Sequence, residues 1–228
     1  LQERRITLST ASAEPTSYVT DILAAIAGYR IADCDRLIVE AQATLAPVTL
    51  IHEVFAPVLR EAGERWQSGQ LSVVQEHMLS SAVRRQLGHA LDFHNRSNPA
   101  GPCLAYTTLS GERHEMGSLM LAVIGASLGV RAIYLGPDLP VSEVGRFCAN
   151  VQVAAVAISI ITRPQVIDVD EQLQELRSLL PEAIDIWLGG YSALHLEPGQ
   201  IPGKCTLIPD LADFQRRLAA LAQQGKHQ

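Results

Sequence analysis

The amino-acid sequence predicts an α/β protein in which a four-helix bundle precedes a doubly wound parallel sheet of five strands. Apolar residues recur at helical spacing as far as about residue 95, which is typical of packed amphipathic helices. From residue 103 onward, short apolar runs alternate with helical patterns, as in parallel sheets joined by crossover helices. A break rich in proline and glycine separates the two patterns at 96–102. We therefore expect a linker at 1–16, a helical bundle at 17–95 and an α/β domain at 103–228.

Four apolar stripes predict the helices of the bundle. Gly28 stands where the first helix should end, because glycine is common just past a helix C-terminus. Ser72 stands where the fourth helix should begin, because its hydroxyl can accept a hydrogen bond from a backbone N–H of the first turn. The stripes begin at Val19, Leu37, Ile51 and Val74.

The second half of the chain alternates between strand and helix patterns. The run at 153–160 is apolar and β-branched, which is typical of a strand buried on both faces. Ligands of such sheets bind beyond the carboxyl ends of the strands, so the candidate site lies in the loops that follow them. Strands are expected at 103–109, 132–135, 153–160, 184–188 and 205–208, and helices at 116–128, 141–150, 169–180 and 211–221.

Composition and charge narrow the function classes. Hydrophobic residues make up 47% of the 228 residues and charged residues 18%, which fits a folded chain. The formal net charge is −6 and no Lys/Arg-rich run is present, so the chain by itself is not expected to bind nucleic acid. The longest apolar stretch, at 151–161, is too short to cross a bilayer. Because the chain begins with Leu1 and not Met, we expect it to lack an N-terminal portion of the protein.

The cysteines indicate a compartment and exclude one kind of site. None of them forms a CxxC pair, so a zinc site is not expected, and scattered thiols are typical of a reducing cytoplasm. We therefore expect a cytoplasmic protein. The cysteines are Cys34, Cys103, Cys148 and Cys205.

A histidine follows the first predicted strand, where the fold rule puts a ligand. A neutral imidazole such as that of His114 binds transition metals well. Glu112 lies two residues before it and can fix the tautomer by accepting a proton from the other ring nitrogen. Gly117 would let the backbone approach a bulky ligand. A surface loop with an incidental histidine accounts for these residues equally well.

Two further clusters are candidates for a ligand site. Trp66 ends the third predicted helix, and Glu76 and His77 lie in the first turns of the fourth, so a short connection could bring the three to one end of the bundle. A core tryptophan beside a solvated Glu–His pair is the alternative. The second cluster consists of Ser159, Gly189 and Gly190 at strand ends, which could hydrogen-bond and accommodate an extended group. An ordinary strand end and turn are the alternative.

Together these residues resemble one family. Glu112-x-His114-x-x-Gly117, followed by Ser159 and Gly189-Gly190, resembles the DxHxxG…SxL…GG signature of cobalamin-binding domains, with Glu in place of the first Asp. The bundle with Trp66 and Glu76-His77 resembles the helical cap of the same family. The run 111–115 and the Trp…Glu-His spacing look like the B12-dependent MerR-type transcriptional regulators, including the light-sensing CarH/LitR group. The resemblance covers roughly 17–222.

The resemblance implies a role for each matching residue. His114 would be the lower axial cobalt ligand in place of the cofactor's own dimethylbenzimidazole, and Glu112 would orient it. Ser159, Gly189 and Gly190 would line the slot for the displaced nucleotide tail. The upper face, where adenosylcobalamin carries its adenosyl group, would be covered by Trp66, Glu76 and His77. Adenosylcobalamin is the expected form, with methyl- and hydroxocobalamin as alternatives.

Besides Glu112, two positions depart from the family pattern. In light-sensing members, light breaks the cobalt–carbon bond, the oligomer dissociates and a preceding DNA-binding domain releases its DNA. A histidine after the cap tryptophan then captures the cobalt, but Gln67 stands at that position here, and an amide is a poor cobalt ligand. Capture by that route is therefore not expected, and His77 is the alternative. The Leu of SxL is Ile161, a conservative change.

Three functions are weighed. The leading hypothesis is a cobalamin-binding sensory domain of a transcriptional regulator, with no enzyme activity and with light as a candidate signal. Its partners would be cobalamin, further copies of the chain, and either DNA through a domain absent from this chain or another regulator protein, with no membrane. The second hypothesis is a corrinoid carrier or a subunit of a B12-dependent methyltransferase or mutase. The third is an interaction module that keeps the fold without the cofactor.

Overall fold

The computed structural model confirms the predicted fold class, a helical N-terminal region followed by a five-stranded parallel sheet. The structure describes residues 14–97, 101–162 and 164–224, so most of the predicted linker lies outside the described ranges. The chain divides into two compact units, Leu1–Gln86 and Leu87–Gln228. Every helix of the described ranges is too short or too polar for a membrane-spanning segment.

The end of the first helix differs from the prediction in one detail. Helix α1 spans Pro15–Ala27 and α2 spans Ile31–Thr44. Gly28 keeps a negative φ of −88°, and Tyr29 adopts the left-handed conformation with φ 55°. The Tyr29 hydroxyl lies 3.3 Å from the Ser72 hydroxyl. The helix therefore ends at the predicted place, but the positive φ falls on the residue after the glycine.

The third helical stretch contains a segment that the sequence did not predict. It begins with the short helix α3, Pro47–Thr49, continues through a π-helical segment, Leu50–Phe55, and ends with α4, Ala56–Gln67. The Ala56 N–H donates to the Ile51 carbonyl, five residues back. The apolar period reveals a helix, but it does not reveal one extra residue within a turn.

Ser72 begins the fourth helix, α5, Val73–Ser97, as predicted. Its hydroxyl accepts a hydrogen bond from the Gln75 N–H at 3.3 Å, and Gln75 Oε1 accepts from the Ser72 N–H at 2.8 Å. This reciprocal pair is a capping box. The buried Gln75 amide also donates to the carbonyls of Ile26 at 3.1 Å and Ala27 at 3.0 Å. One side chain therefore joins the start of α5 to the end of α1.

The sheet has the strand order β2-β1-β3-β4-β5, with every neighbouring pair parallel. β2 lies on one side of β1, and β3, β4 and β5 follow on its other side. The switch point of the strand order is therefore between β1 and β3. The strands are β1 Cys103–Leu109, β2 Arg131–Leu139, β3 Ala155–Ser159, β4 Asp185–Gly189 and β5 Cys205–Leu207. The helices are α6 Met116–Ser127, α7 Val141–Asn150, α8 Pro164–Ile167, α9 Val169–Leu179 and α10 Leu211–Gln224, with 3-10 turns at Ala193–His195 and Pro198–Gln200.

Strand β2 is longer than predicted and β3 is shorter. The sequence Gly136-Pro137-Asp138 signals a turn, yet β2 continues through it with register shifts against β1. Gly136 has φ 95° and Asp138 has φ 58°, which is the geometry of an irregular strand. Because β2 is an edge strand, Pro137 removes no hydrogen bond from the interior of the sheet. The predicted end of this strand at residue 135 was therefore wrong, since β2 continues to Leu139.

Side chains of the sheet alternate between two helical layers. One face packs against α7 and α9 through Val156, Ile158 and Leu173. On the other face, Tyr106, Ala157 and Trp187 stand in register on β1, β3 and β4. Helices α6 and α10 cover this second face, because Gly125 contacts the Tyr106 hydroxyl and Phe214 packs edge-on against Trp187.

Candidate functional site

The loops after β1 and β3 meet where the strand order reverses. Ligands of doubly wound sheets bind in this crevice, because the loops diverge there to opposite sides of the sheet. Glu112 and His114 follow β1, and Ile161 and Thr162 follow β3. The structure therefore brings the loop with the predicted metal ligand against the end of β3.

Glu112 is the buried centre of this loop, with a side chain that is 0% exposed. Its carboxylate accepts hydrogen bonds from the backbone N–H groups of Ile161 at 2.8 Å and Thr162 at 2.5 Å. It also accepts from the His114 N–H at 2.9 Å. These bonds satisfy a charge that would otherwise be costly to bury. They also fix the β1 loop to the end of β3.

The His114 ring is oriented by Glu112. The ring Nδ1 lies 2.6 Å from Glu112 Oε1, while the side chain as a whole is 65% exposed. A carboxylate accepts only, so Nδ1 carries the proton of the neutral ring and Nε2 carries the lone pair. This is the arrangement in which a histidine binds a metal through Nε2, supported by a carboxylate behind it.

The environment keeps Glu112 ionised. Burial raises the pKa of its carboxyl, but hydrogen bonds from the backbone of Thr162, His114 and Ile161 and from the His114 ring act in the other direction. The hydrogen bonds outweigh burial, so the pKa lies below its ordinary value. The carboxylate is therefore available as an acceptor for the His114 ring at neutral pH.

Thr162 belongs to the site, although the sequence analysis did not select it. Its hydroxyl donates to Glu112 Oε1 at 3.1 Å and lies 3.4 Å from His114 Nδ1. Its separation from Glu112 by 50 residues hides the contact in the sequence. The position directly beyond a predicted strand end was the available signal.

Gly117 and Ser159 are in direct contact. A Cβ at Gly117 would lie 2.9 Å from the Ser159 hydroxyl oxygen, so glycine lets α6 approach the end of β3. The Ser118 hydroxyl, one residue further, is buried without a hydrogen-bond partner in the described part of the chain. A buried hydroxyl of this kind can accept a hydrogen bond from an inserted ligand group or donate one to it.

Gly189 and Gly190 differ in their surroundings. A Cβ at Gly189 would meet no atom closer than the Ile208 carbonyl oxygen at 4.0 Å. Gly190 has φ 97°, and a Cβ there would lie 2.5 Å from the Ile160 carbonyl oxygen. Gly190 is therefore needed by the backbone packing itself, whereas Gly189 leaves space beside Ser159, its register partner on β3.

In the helical unit, Glu76 and His77 are joined but Trp66 is apart from them. The His77 Nδ1 lies 2.6 Å from Glu76 Oε2, and the Ser80 hydroxyl donates to Glu76 Oε1 at 2.5 Å. Trp66 is 47% exposed near the end of α4. Within the described residues, no hydrogen bond or ring contact joins Trp66 to the Glu–His pair.

His77 also lines an open cleft between α2 and α5. The cleft has a volume of about 420 Å³. It is mainly apolar, with an ion pair between Arg85 and Asp35 at 3.1 Å. Its lining residues are Ile31, Asp35, Val73, Val74, His77, Met78, Ser81 and Arg85.

No group of three or more His, Cys, Asp or Glu side chains in the described ranges could hold a metal ion. The cysteines are unpaired thiols. As far as the described residues go, a metal bound through His114 would therefore have to bring its other ligands with it. A metal that arrives within a macrocycle meets this condition, because the macrocycle supplies the equatorial ligands.

Comparisons with known proteins identify such a macrocycle. Residues 18–90 match the family model described as "B12 binding domain". The chain is 34% identical over 175 residues to the HTH-type transcriptional repressor CarH of Myxococcus xanthus, and 31% identical over 126 residues to the repressor CarA of the same organism.

Residues 18–90 are thus similar to a B12 binding domain, and the chain is similar to the CarH repressor.

The matches confirm the resemblance and differ in extent. The alignment with CarH covers 75% of this chain and 57% of CarH, and that with CarA covers 55% of this chain and 42% of CarA. The chain thus spans roughly half the length of these relatives. The fold of this chain is similar to that of the Methanosarcina barkeri monomethylamine corrinoid protein. The TM-score is 0.68, with 17% sequence identity, and the match covers 91% of this chain and 99% of that chain.

The residues at the switch point fit a corrinoid. The His114 side chain is 65% exposed and its Nδ1 contacts Glu112, so Nε2 is the atom that would hold the cobalt of a corrinoid. The space at Gly189 and the unpartnered Ser118 hydroxyl suit an extended group that carries polar atoms. The donor set therefore agrees with the cofactor that the B12 binding domain implies.

Proposed function

We propose that this chain is the cobalamin-binding sensory domain of a transcriptional regulator, in which His114 Nε2 is the lower axial cobalt ligand. The observation that carries the proposal is the buried Glu112 carboxylate that holds His114 Nδ1 at the switch point of the sheet. This geometry supplies an imidazole that is oriented through its Nδ1. The relation to CarH and CarA supports a regulatory role.

The remaining site residues take roles around this ligand. Ser159, Gly189 and Gly190 line the slot for the nucleotide tail, with Gly189 leaving the space and Gly190 fixing the backbone beside it. Gly117 lets the backbone of α6 approach closely. Adenosylcobalamin is the proposed form, because the resemblance to the light-sensing regulators implies it. In this proposal Trp66, Glu76 and His77 cover the upper face of the cofactor.

Light is the proposed signal. A bound adenosylcobalamin would supply a cobalt–carbon bond that visible light breaks. In this proposal the chain's own part is to hold the cobalt through His114 and to keep the proton on Nδ1 through Glu112. Gln67 is a poor cobalt ligand, so His77 is the proposed residue for capture after light.

The regulatory proposal has consequences for partners and location. The protein would act in the cytoplasm without enzyme activity, as homo-oligomers of the cap and α/β domains at 17–95 and 103–228. DNA would be contacted through a separate domain or through another regulator protein. CarH and CarA are HTH-type transcriptional repressors, which supports this proposal.

Absorption spectra of the purified chain with adenosylcobalamin, recorded in the dark and after green light, test the proposal. We expect wild-type protein to retain the cofactor, to show the spectrum of histidine-ligated cobalamin and to change on illumination. His114→Ala should lose the histidine-ligated spectrum, because the cobalt then has no imidazole below it. His89→Ala, an exposed histidine on α5, is the matched control. An unchanged spectrum in the His114 variant would contradict the ligand assignment.

A corrinoid carrier is the second candidate, because the fold match to the monomethylamine corrinoid protein spans nearly all of that protein. A carrier would take a methyl group onto cobalt from a partner methyltransferase and pass it on. A methyl-transfer assay with methylcobalamin-loaded protein separates the two functions. Light-dependent spectra without methyl transfer favour the sensory domain, and turnover with a thiol or amine acceptor favours the carrier.

A further inference from the structure

The bend that precedes Glu112 is held by a side chain from a distant helix. Gln172 of α9 accepts a hydrogen bond from the Ser110 N–H at 2.8 Å and donates to the Ser110 carbonyl at 3.1 Å. The same amide nitrogen donates to the Ile167 carbonyl. The Gln172 amide therefore pairs with both backbone groups of Ser110, as a neighbouring strand would.

The next residue of the bend is packed and bonded from two sides. Gly111 has φ 84°, and a Cβ there would lie 3.0 Å from Ile167 Cγ2. The Gly111 N–H donates to the Asp138 carboxylate at 2.7 Å. Asp138 in turn donates its own N–H to the Glu112 carbonyl at 3.1 Å. The end of β2 and the α8–α9 junction thus enclose the bend.

These contacts are distinct from those that orient the His114 ring. Glu112 fixes the ring and attaches the loop to β3, whereas Gln172 fixes the backbone from which Glu112 projects. None of the Gln172 contacts involves α6, whose first turn borders Ser159 and the proposed tail slot. The Gln172 contacts therefore hold the loop backbone without using a residue that borders that slot.

We propose that Gln172 is a positioning residue that sets the His114 loop for cobalt ligation before the cofactor binds. This inference rests on the proposed function of His114. A loop that is already ordered pays less conformational entropy on binding. Loss of the Gln172 contacts would leave the Glu112–His114 pair intact but would let the pair move relative to the corrin, so the histidine would bind cobalt less often.

Electron paramagnetic resonance of cob(II)alamin bound to protein labelled with the heavy stable isotope of nitrogen tests this inference. A labelled histidine on cobalt splits the signal into doublets, whereas the cofactor's unlabelled benzimidazole gives triplets. We expect doublets in the wild type and their loss in His114→Ala. Gln172→Met, which keeps the length of the side chain but not its amide, should shift the equilibrium away from the histidine-ligated form by roughly fivefold.

Two further variants separate the outcomes. Gln174→Met changes an exposed residue of the same helix and should keep the wild-type doublets. Gln172→Glu keeps an acceptor for the Ser110 N–H and should restore part of the doublet intensity, and it carries the test if Gln172→Met fails to fold. Wild-type doublets in a folded Gln172 variant would overturn the positioning role. Failure of the wild type to retain corrinoid would instead overturn the proposed function.

Discussion

At the scale of single residues, Glu112 unites the candidate site. Its carboxylate accepts hydrogen bonds from backbone N–H groups of two loops. One of its oxygens also lies 2.6 Å from His114 Nδ1. The sequence motif places Glu where the family pattern has Asp, and the longer side chain reaches the N–H groups beyond β3. A substitution that looks like a departure in the sequence is accommodated by the contacts of the site.

Two adjacent glycines at the end of β4 have different expected roles: Gly190 is needed by the backbone packing, and Gly189 leaves space for a ligand. We expect Gly190→Ala to lower the free energy of unfolding by at least about 2 kcal/mol, because of its positive φ and its contact with the Ile160 carbonyl. Gly189→Ala should change stability by less than about 0.5 kcal/mol but weaken cobalamin binding roughly tenfold by filling the slot. Urea unfolding and calorimetric titration measure the two effects. Equal cobalamin affinity of wild type and Gly189→Ala would argue against a tail slot there.

The site was predictable where its residues lie close together in the sequence. Glu112 and His114 could be paired from their spacing, and the end of β1 could be located from the strand pattern. Thr162 and Gln172 were not selected, because they meet the loop across 50 and 62 residues. Such contacts depend on which strands become neighbours, and residue spacing does not specify this. The assignment of Trp66 to the cofactor's upper face stays a prediction.

At the scale of elements, the ends of helices and strands show what patterns can specify. Apolar runs predicted β1 and α7 with the bounds that the structure has. The ends of β2 and the π-helical segment were missed, since both depend on backbone irregularities that change the hydrogen-bond partner and not the apolar period. The Ser72–Gln75 capping box was half predicted, from Ser72 alone.

Gln75 offers a test of how the helices of the first unit are joined. Gln75→Leu removes the capping box and leaves the Ile26 and Ala27 carbonyls without their amide donor. We expect it to lower the free energy of unfolding by roughly 2–3 kcal/mol. Circular dichroism during urea unfolding measures the change, with Gln70→Leu at an exposed position as the control. A loss no larger than that of the control would mean that the amide contributes little.

At the scale of the whole molecule, each compact unit contains a buried thiol whose protection from labelling reports on the unfolding of that unit. Burial, and secondly the charge of Asp35, raises the pKa of Cys34 to about 11. Burial, with a smaller contribution from Cys103, raises the pKa of Cys148 to about 11. A raised pKa keeps the thiol protonated at neutral pH, and the thiol is far less nucleophilic than the thiolate.

We therefore expect both thiols to resist iodoacetamide at about pH 8 and to react faster as the pH approaches 11. In rising guanidinium concentrations, mass spectrometry of peptides should show Cys34 and Cys148 losing protection at different concentrations, because they lie in different units. Loss of protection at one shared concentration would indicate a single cooperative unit.

The π-helical segment at Leu50–Phe55 has a consequence for how this chain tolerates changes in length. A π-helical segment accommodates one more residue than the α-helical turns that it replaces, while the helix beyond it keeps its phase. Deleting one residue within the segment would therefore restore ordinary α-helical hydrogen bonds and keep Val58 and Ala62, both buried, on the inner side of α4. The same deletion after Ala56 would rotate the rest of the helix, including Trp66. Natural variants of this chain that are one residue shorter within this segment would thus keep the orientation of Trp66.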